Sequence, residues 1–194
     1  MANKPSDTRA AILSAARTLF WKHGFRRVSV EEICGKAGIS KMTFYRYFEN
    51  KIDLAKTVFI NAANEGYDTL RRILDSNTSP EEKINKILYL KFEGTNDISE
   101  EFLRDFYTYN ESGLGEFVKS VTDEIWQKII DDFKVAQKDG IFRDDFSFEH
   151  FFYISRKISD SFYDHDFAVL FPSPQEMIME TARLLMYGIA PRNK

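Results

Sequence analysis

Apolar positions along the first part of the chain repeat at helical spacing. Ile12, Leu13, Ala16, Leu19 and Phe20 fall at i, i+1, i+4, i+7 and i+8, the stripe of an amphipathic helix. Ser6 or Asp7 can cap it, and Gly24 is placed to end it after His23. The pattern then shortens. Ser29-Val30-Glu31-Glu32 has the form of a capping box, with Ser at the N-cap and Glu at N3. Val30, Ile33 and Ala37 supply one apolar stripe, and Gly38 breaks it. Ser40 opens a second short helix, Lys41 to Phe48, whose apolar side is Ile39, Phe44 and Phe48. Phe25 and Val28 close a small three-helix core. Asn50 caps a fourth helix that runs through Leu54, Val58, Phe59 and Ala62 to about Leu74. At ~1.5 Å per residue it spans roughly 35 Å.

The rest of the chain keeps the helical period. Ser79-Pro80-Glu81-Glu82 combines a Ser N-cap, Pro at N1 and Glu at N3, and Ser173-Pro174-Gln175-Glu176 repeats the cap-plus-Pro start. Ser99 caps a helix containing Phe102, Leu103, Phe106, Tyr107 and Tyr109. A long helix follows over about Leu114 to Lys138. Ser147 caps another, over about 147–164, with Asp164-His165-Asp166 leading into a loop. The last helix runs over about 174–187. No strand pattern, internal repeat or low-complexity segment is visible, so the fold class expected is all-α.

The polar side of the Lys41–Phe48 helix carries Lys41, Thr43, Tyr45, Arg46 and Tyr47. A globular protein gains no stability from cations, hydroxyls and rings gathered on one short helix. A DNA groove uses that mixture, with cations and hydroxyls on phosphates and long side chains on base edges. Lys41, Thr43 and Arg46 are the candidates for base contact, and Arg46 can make a bidentate contact to guanine. Met42 can offer an apolar contact to a thymine methyl.

The run Gly24-Phe25, Val28-Ser29-Val30-Glu31-Glu32-Ile33, Ala37-Gly38-Ile39-Ser40, Thr43-Phe44-Tyr45-Arg46-Tyr47-Phe48 and Asn50-Lys51 resembles the DNA-binding domain of the tetracycline-repressor (TetR) family. The resemblance covers roughly residues 8 to 60. It implies a helix-turn-helix domain over 1–50 and a helical effector-binding and dimerisation domain over 51–194, with helix 51–74 connecting them. It also implies phosphate contacts by Ser29, Tyr45, Tyr47 and Lys51; Tyr47 stands where the family often has His. A Lys at a helix N-terminus opposes the helix dipole, which a phosphate bound there would explain.

Charge changes the picture in the same direction. The net charge of −3 alone argues against a nucleic-acid partner. Residues 1–51, however, hold 10 Lys and Arg against 4 Asp and Glu, and residues 52–194 hold 17 against 26. A basic reading head on an acidic body is the expected arrangement. The single cysteine, Cys34, excludes an intrachain disulfide; it reads as a small packed residue, with a redox sensor as the other reading. No apolar run approaches a membrane span and no signal segment is visible, so a cytoplasmic protein is expected.

Two constellations remain. Phe102, Phe106, Tyr107, Tyr109, Asn110, Phe117, Trp126 and Ile130 are a dense aromatic population in the middle of the chain. They read either as core or as walls of an effector pocket, and the resemblance places an effector site among these helices. The two C-terminal helices are heavily apolar. Since one recognition helix reads few bases, a two-fold homodimer on a two-fold symmetric operator is expected, with Phe151, Ile158, Phe162, Met177, Met179 and Leu185 as interface candidates. His150, Asp164, His165 and Asp166 lack metal-site spacing and read as solvated polar positions, so neither metal nor cofactor is expected. No catalytic motif is present, and an enzyme is not expected. The function expected is a sequence-specific transcriptional repressor released from its operator by a small-molecule effector; the alternative is a protein–protein adaptor or ligand carrier with a vestigial DNA-binding head.

Overall fold

A computed structural model of the protein describes residues 5–108 and 113–191. Among these residues lie α1 (Pro5–Arg27), α2 (Val30–Ala37), α3 (Lys41–Phe44), α4 (Lys51–Asp75), α5 (Pro80–Gly94), α6 (Glu100–Thr108) and α7 (Leu114–Lys138). There follow α8 (Phe148–Asp160), a 3-10 turn (Ser161–Tyr163), α9 (His165–Ala168) and α10 (Pro174–Gly188). The described residues contain no strand, and the all-α expectation holds.

Seven later caps sit where the residue pattern puts them, whereas α1 already begins at Pro5, ahead of Ser6 and Asp7, and runs past a kink at Gly24 to Arg27. Ser29, Ser40, Ser79, Ser147 and Ser173 each accept a backbone N–H of the following helix on their side-chain oxygen. Asn50 does the same at α4, accepting the Asp53 N–H at 2.9 Å, and Ser99 at α6, accepting the Phe102 N–H at 3.1 Å. Three further local expectations differ. The recognition segment is α-helical only over Lys41–Phe44. Residues 45–47 tighten into turns in which Arg46 donates to the Thr43 carbonyl and Tyr47 to that of Phe44. The helix expected over 147–164 ends at Asp160. Asp164 is the N-cap of α9, accepting the Asp166 N–H at 2.9 Å, and is therefore no simple loop residue.

The chain divides into two compact units. The first joins the residues up to Ala63 with Asp97–Thr122; the second joins Asn64–Asn96 with the residues from Asp123 onward. The first is larger than the 1–50 head expected from the sequence, because aromatic packing recruits α6 and the start of α4. Phe106 is fully buried, with ring centroids of Phe20, Phe25, Phe59 and Phe102 at 5.9, 6.3, 6.1 and 4.6 Å. Phe102 also lies 4.5 Å from Trp21. Phe102 and Phe106, open to either reading as core or pocket wall, are filled core between α1 and α6. Phe117 is half-buried with the Lys56 ammonium over its ring.

The second unit has a separate core of Leu70, Leu74, Ile84, Leu88, Phe133, Phe142, Phe148, Phe152, Met186 and Ile189. Lys83 is buried beside it and donates to the Leu74 carbonyl at 2.5 Å, satisfying an orphan carbonyl at the end of α4. Trp126 packs on Phe152 with centroids 5.2 Å apart, and Ile130 lies against the core. The effector candidates are therefore distributed over both units; Tyr109 and Asn110 lie outside the described residues, as does the Tyr107 side chain. Met177 and Met179, expected at a dimer interface, are 2% and 4% exposed within the single chain and belong to its interior. Phe151, Ile158, Phe162 and Leu185 are half-buried. No helix among the described residues is long and apolar enough to cross a membrane.

Candidate nucleic-acid interface

The candidate interface is built on two helices of 8 and 4 residues, too short to be stable alone, so each is fixed by its ends and its buried face. At α2 the capping box is complete. The Ser29 hydroxyl oxygen accepts the Glu32 N–H at 3.2 Å, and Glu32 accepts the Ser29 N–H at 2.7 Å and the Ser29 hydroxyl at 2.8 Å. These contacts hold the Glu32 carboxyl below its ordinary range. Ile33 and Cys34 face inward, and burial pushes the Cys34 thiol up. Gly38 then ends the helix at φ 67, ψ 34, the left-handed conformation a tight turn requires, and its N–H returns to the Cys34 and Gly35 carbonyls.

The recognition segment hangs on Phe44 and Phe48, which are buried with ring centroids 5.9 Å apart. Burying these two rings turns Met42, Tyr45 and Arg46 outward. Met42 is 77% exposed and Tyr45 56%, and Arg46 is exposed. The Tyr45 ring stands edge-on to Phe44 at 5.2 Å, which limits its swing. Lys41 is exposed but paired with Glu31 of α2; the pair raises the Lys41 pKa and lowers that of Glu31. Thr43 is half-buried and shares a hydrogen bond with the Ser40 hydroxyl at 3.0 Å. Tyr47 is half-buried.

Two of the four residues expected on phosphates already spend their donors inside the protein. The Ser29 hydroxyl proton goes to Glu32. Lys51, at the start of α4, donates to the carbonyls of Phe25 at 2.8 Å, Arg26 at 3.3 Å and Val28 at 2.7 Å, with its ammonium 4.3 Å from the Phe25 ring centre. The apparent oddity of Lys at a helix N-terminus is explained by these three carbonyls. Nothing in the local sequence signals this, since the acceptors lie 23 to 26 residues upstream. The same is true of Asp105, a buried carboxylate from α6 that accepts the Arg26 N–H at 2.8 Å.

Residues 12–58, which contain α2, α3 and the Lys51 contacts but not Asp105, match the family model described as bacterial regulatory proteins, tetR family. This head is a TetR-type DNA-binding domain. Its curated relatives include the HTH-type transcriptional repressor KstR2 of Mycolicibacterium smegmatis, 29% identical over 91 residues, which cover 47% of this chain and 44% of that protein. The chain spans about half the length of curated relatives matched at this level. The HTH-type regulator YdgC of Bacillus subtilis is 22% identical over 99% of this chain and 97% of its own. Among solved structures, the fatty acid degradation regulator FadR of Bacillus halodurans superposes with a TM-score of 0.70 at 17% identity, covering 99% of this chain and 100% of its own. At that identity the likeness shows the fold alone.

Proposed function

We propose that this chain is a sequence-specific DNA-binding transcriptional regulator that represses from a two-fold symmetric operator and is released by a small-molecule effector. The observation that carries the reading is the α3 segment. With Phe44 and Phe48 buried, it presents Met42, Tyr45 and Arg46 to solvent on the face of a TetR-type head. Arg46 and Met42 take base edges, and Lys41 joins them once it leaves Glu31. Tyr45 and Tyr47 take phosphates. The protein acts in the cytoplasm as a homodimer. Support for a second copy comes from the exposed apolar side chains Tyr153 and Ile154 on α8 and Leu184 and Tyr187 on α10, beside the half-buried Ile158 and Leu185. These exposed residues replace Met177 and Met179 as the candidates for burial by the partner.

The effector binds the DNA-incompetent state better than the competent one, and its differential affinity bounds the repression it can lift. Trp126 and Ile130 remain candidates for contact with it. The test is a footprint of the purified protein on the DNA immediately upstream of its own gene, at two salt concentrations, followed by selection from random duplexes. A protected two-fold site whose binding weakens steeply with salt supports both the head and the dimer. Absence of any preferred duplex after selection refutes the reading.

A further inference from the structure

The segment Phe25–Val28 leads from α1 into α2, and side chains of two other helices hold its backbone. From the start of α4, the Lys51 ammonium gives one N–H to each of three carbonyls, those of Phe25, Arg26 and Val28. Three acceptors on one nitrogen require the protonated amine, which alone carries three donors. From α6, Asp105, 3% exposed, accepts the Arg26 N–H at 2.8 Å. The cation therefore holds carbonyls and the anion holds an N–H of the same few residues. Burial pushes the Lys51 pKa down, and the negative charges of Asp105 and Glu32 oppose that push.

The approach of Asp105 depends on Gly24. That residue adopts φ 74, ψ 171, a region open essentially to glycine alone. A Cβ there would lie 2.6 Å from the Asp105 Oδ2 and 2.9 Å from the Glu101 Cβ. Just upstream, the Ser99 N–H and hydroxyl both donate to the Trp21 carbonyl at 3.0 Å, so the start of α6 is tied to the end of α1 as well.

We infer that Lys51 and Asp105 are positioning residues for DNA recognition: they pin the segment before α2 from two sides and so fix the orientation in which α2 and α3 meet the groove, without touching nucleic acid themselves. The inference rests on the DNA-binding reading above. A phosphate contact and a pin make opposite predictions for salt dependence. A cation that neutralises a phosphate contributes about −0.9 to the slope of log affinity against log salt, whereas a pin contributes nothing.

The experiment measures cognate-duplex affinity of the full-length protein across a salt series for wild type, Lys51→Met and Lys51→Arg. Lys51→Met is expected to weaken binding about tenfold or more with the wild-type slope retained. Lys51→Arg is expected to weaken binding similarly, because a guanidinium spreads its donors over a plane and cannot aim three from one atom. A slope flatter by about 0.9 in Lys51→Met, or full retention of affinity by either variant, overturns the inference. A second arm needs no DNA. Asp105→Ala is expected to speed amide exchange at Arg26 about tenfold or more while exchange at Ile33 and Phe44 keeps the wild-type rate. Unchanged exchange at Arg26 overturns the pin. Failure of the wild type to bind any duplex specifically refutes the DNA reading instead, and the exchange arm still decides whether the segment is held.

Discussion

The reading helices of the first unit and the core of the second are placed by different physics. The reading elements are helices of 8 and 4 residues that, with the segment following α3, bury Ile33, Phe44 and Phe48 and are oriented by directional bonds: a capping box, a glycine turn, three hydrogen bonds from Lys51 and one to Asp105. In the second, long helices enclose rings. Phe133 lies 4.8, 5.6 and 5.8 Å from Phe142, Phe148 and Phe152. Directional bonds specify an orientation and tolerate few alternatives. Burial is non-directional, and many apolar sets of similar volume fill the same space. On the proposed function, the head matches a fixed duplex and needs the first kind of restraint, while a body that only encloses a core can use the second. The family model accordingly matches residues 12–58, while FadR keeps the fold across 99% of the chain at 17% identity.

The comparison is broken most forcefully by substitutions on each side of it. Phe148 is 1% exposed and touches rings of Phe133, Phe142, Phe146 and Phe151. Phe148→Ala should cost ~3–5 kcal/mol of stability, measured by denaturant unfolding. At a temperature where the variant stays folded, its ratio of cognate to scrambled-duplex affinity should equal that of wild type. A changed ratio would mean the body restrains the reading face after all. In the head, Gly24→Ala should cost about 3 kcal/mol, from the forbidden backbone region and the overlap with Asp105 and Glu101. Gly38→Ala, with open space around its Cβ, should cost only the ~1–2 kcal/mol of the left-handed conformation. Equal losses at the two glycines would deny the close approach of α6.

The same contrast explains what could be read from the residues. Caps were legible because an N-cap is a local device: Ser29, Ser40, Asn50, Ser79, Ser99, Ser147 and Ser173 all act within a few residues of themselves. The outward set Met42, Tyr45 and Arg46 was legible because Phe44 and Phe48 fix the inward side. Partners distant in sequence were not. Asp105 meets Arg26 across 79 residues, and an acidic residue on an amphipathic helix carries no mark of being buried. Phe102 and Phe106 show why aromatic density is ambiguous: the same spacing serves a pocket wall or a core, and only the rings of Phe20, Trp21, Phe25 and Phe59 around them decide. Met177 and Met179 lie inside the chain rather than at an interface, and a related reason hid this, since a helix apolar on more than one side does not reveal which side the chain itself covers.

A smaller effect sharpens the difference between reading and holding. Arg46 is exposed, so its removal should leave stability within ~0.5 kcal/mol of wild type. Arg46→Ala should nevertheless lose ~1–3 kcal/mol of discrimination at one base pair, measured with single-position duplex variants. An equal loss on cognate and scrambled duplexes would reassign Arg46 from base to phosphate.

The smallest expected effect concerns an electrostatic device found in both units, a carboxylate held by nearby donors. In the second unit Glu149 receives the Lys134 ammonium at 2.5 Å and the Ser147 hydroxyl at 3.0 Å. The Lys134 contact, followed by the residue's own backbone and Ser147, brings its pKa from 4.5 to about 2. Because the folded value lies below the ordinary one, the stabilisation is complete above pH 4.5, declines as pH falls toward about 2 and is gone below it. Both partners are exposed, so solvent screening keeps the effect small. Glu149→Gln should therefore lower Tm slightly at neutral pH, and the difference from wild type should shrink to nothing as pH approaches about 2. Glu32 is lowered in the same direction by the Ser29 N–H and hydroxyl, so Glu32→Gln should follow the same sign in the head. A Tm difference that persists unchanged at the acid end would assign the loss at Glu149 to packing of its side chain rather than to its charge.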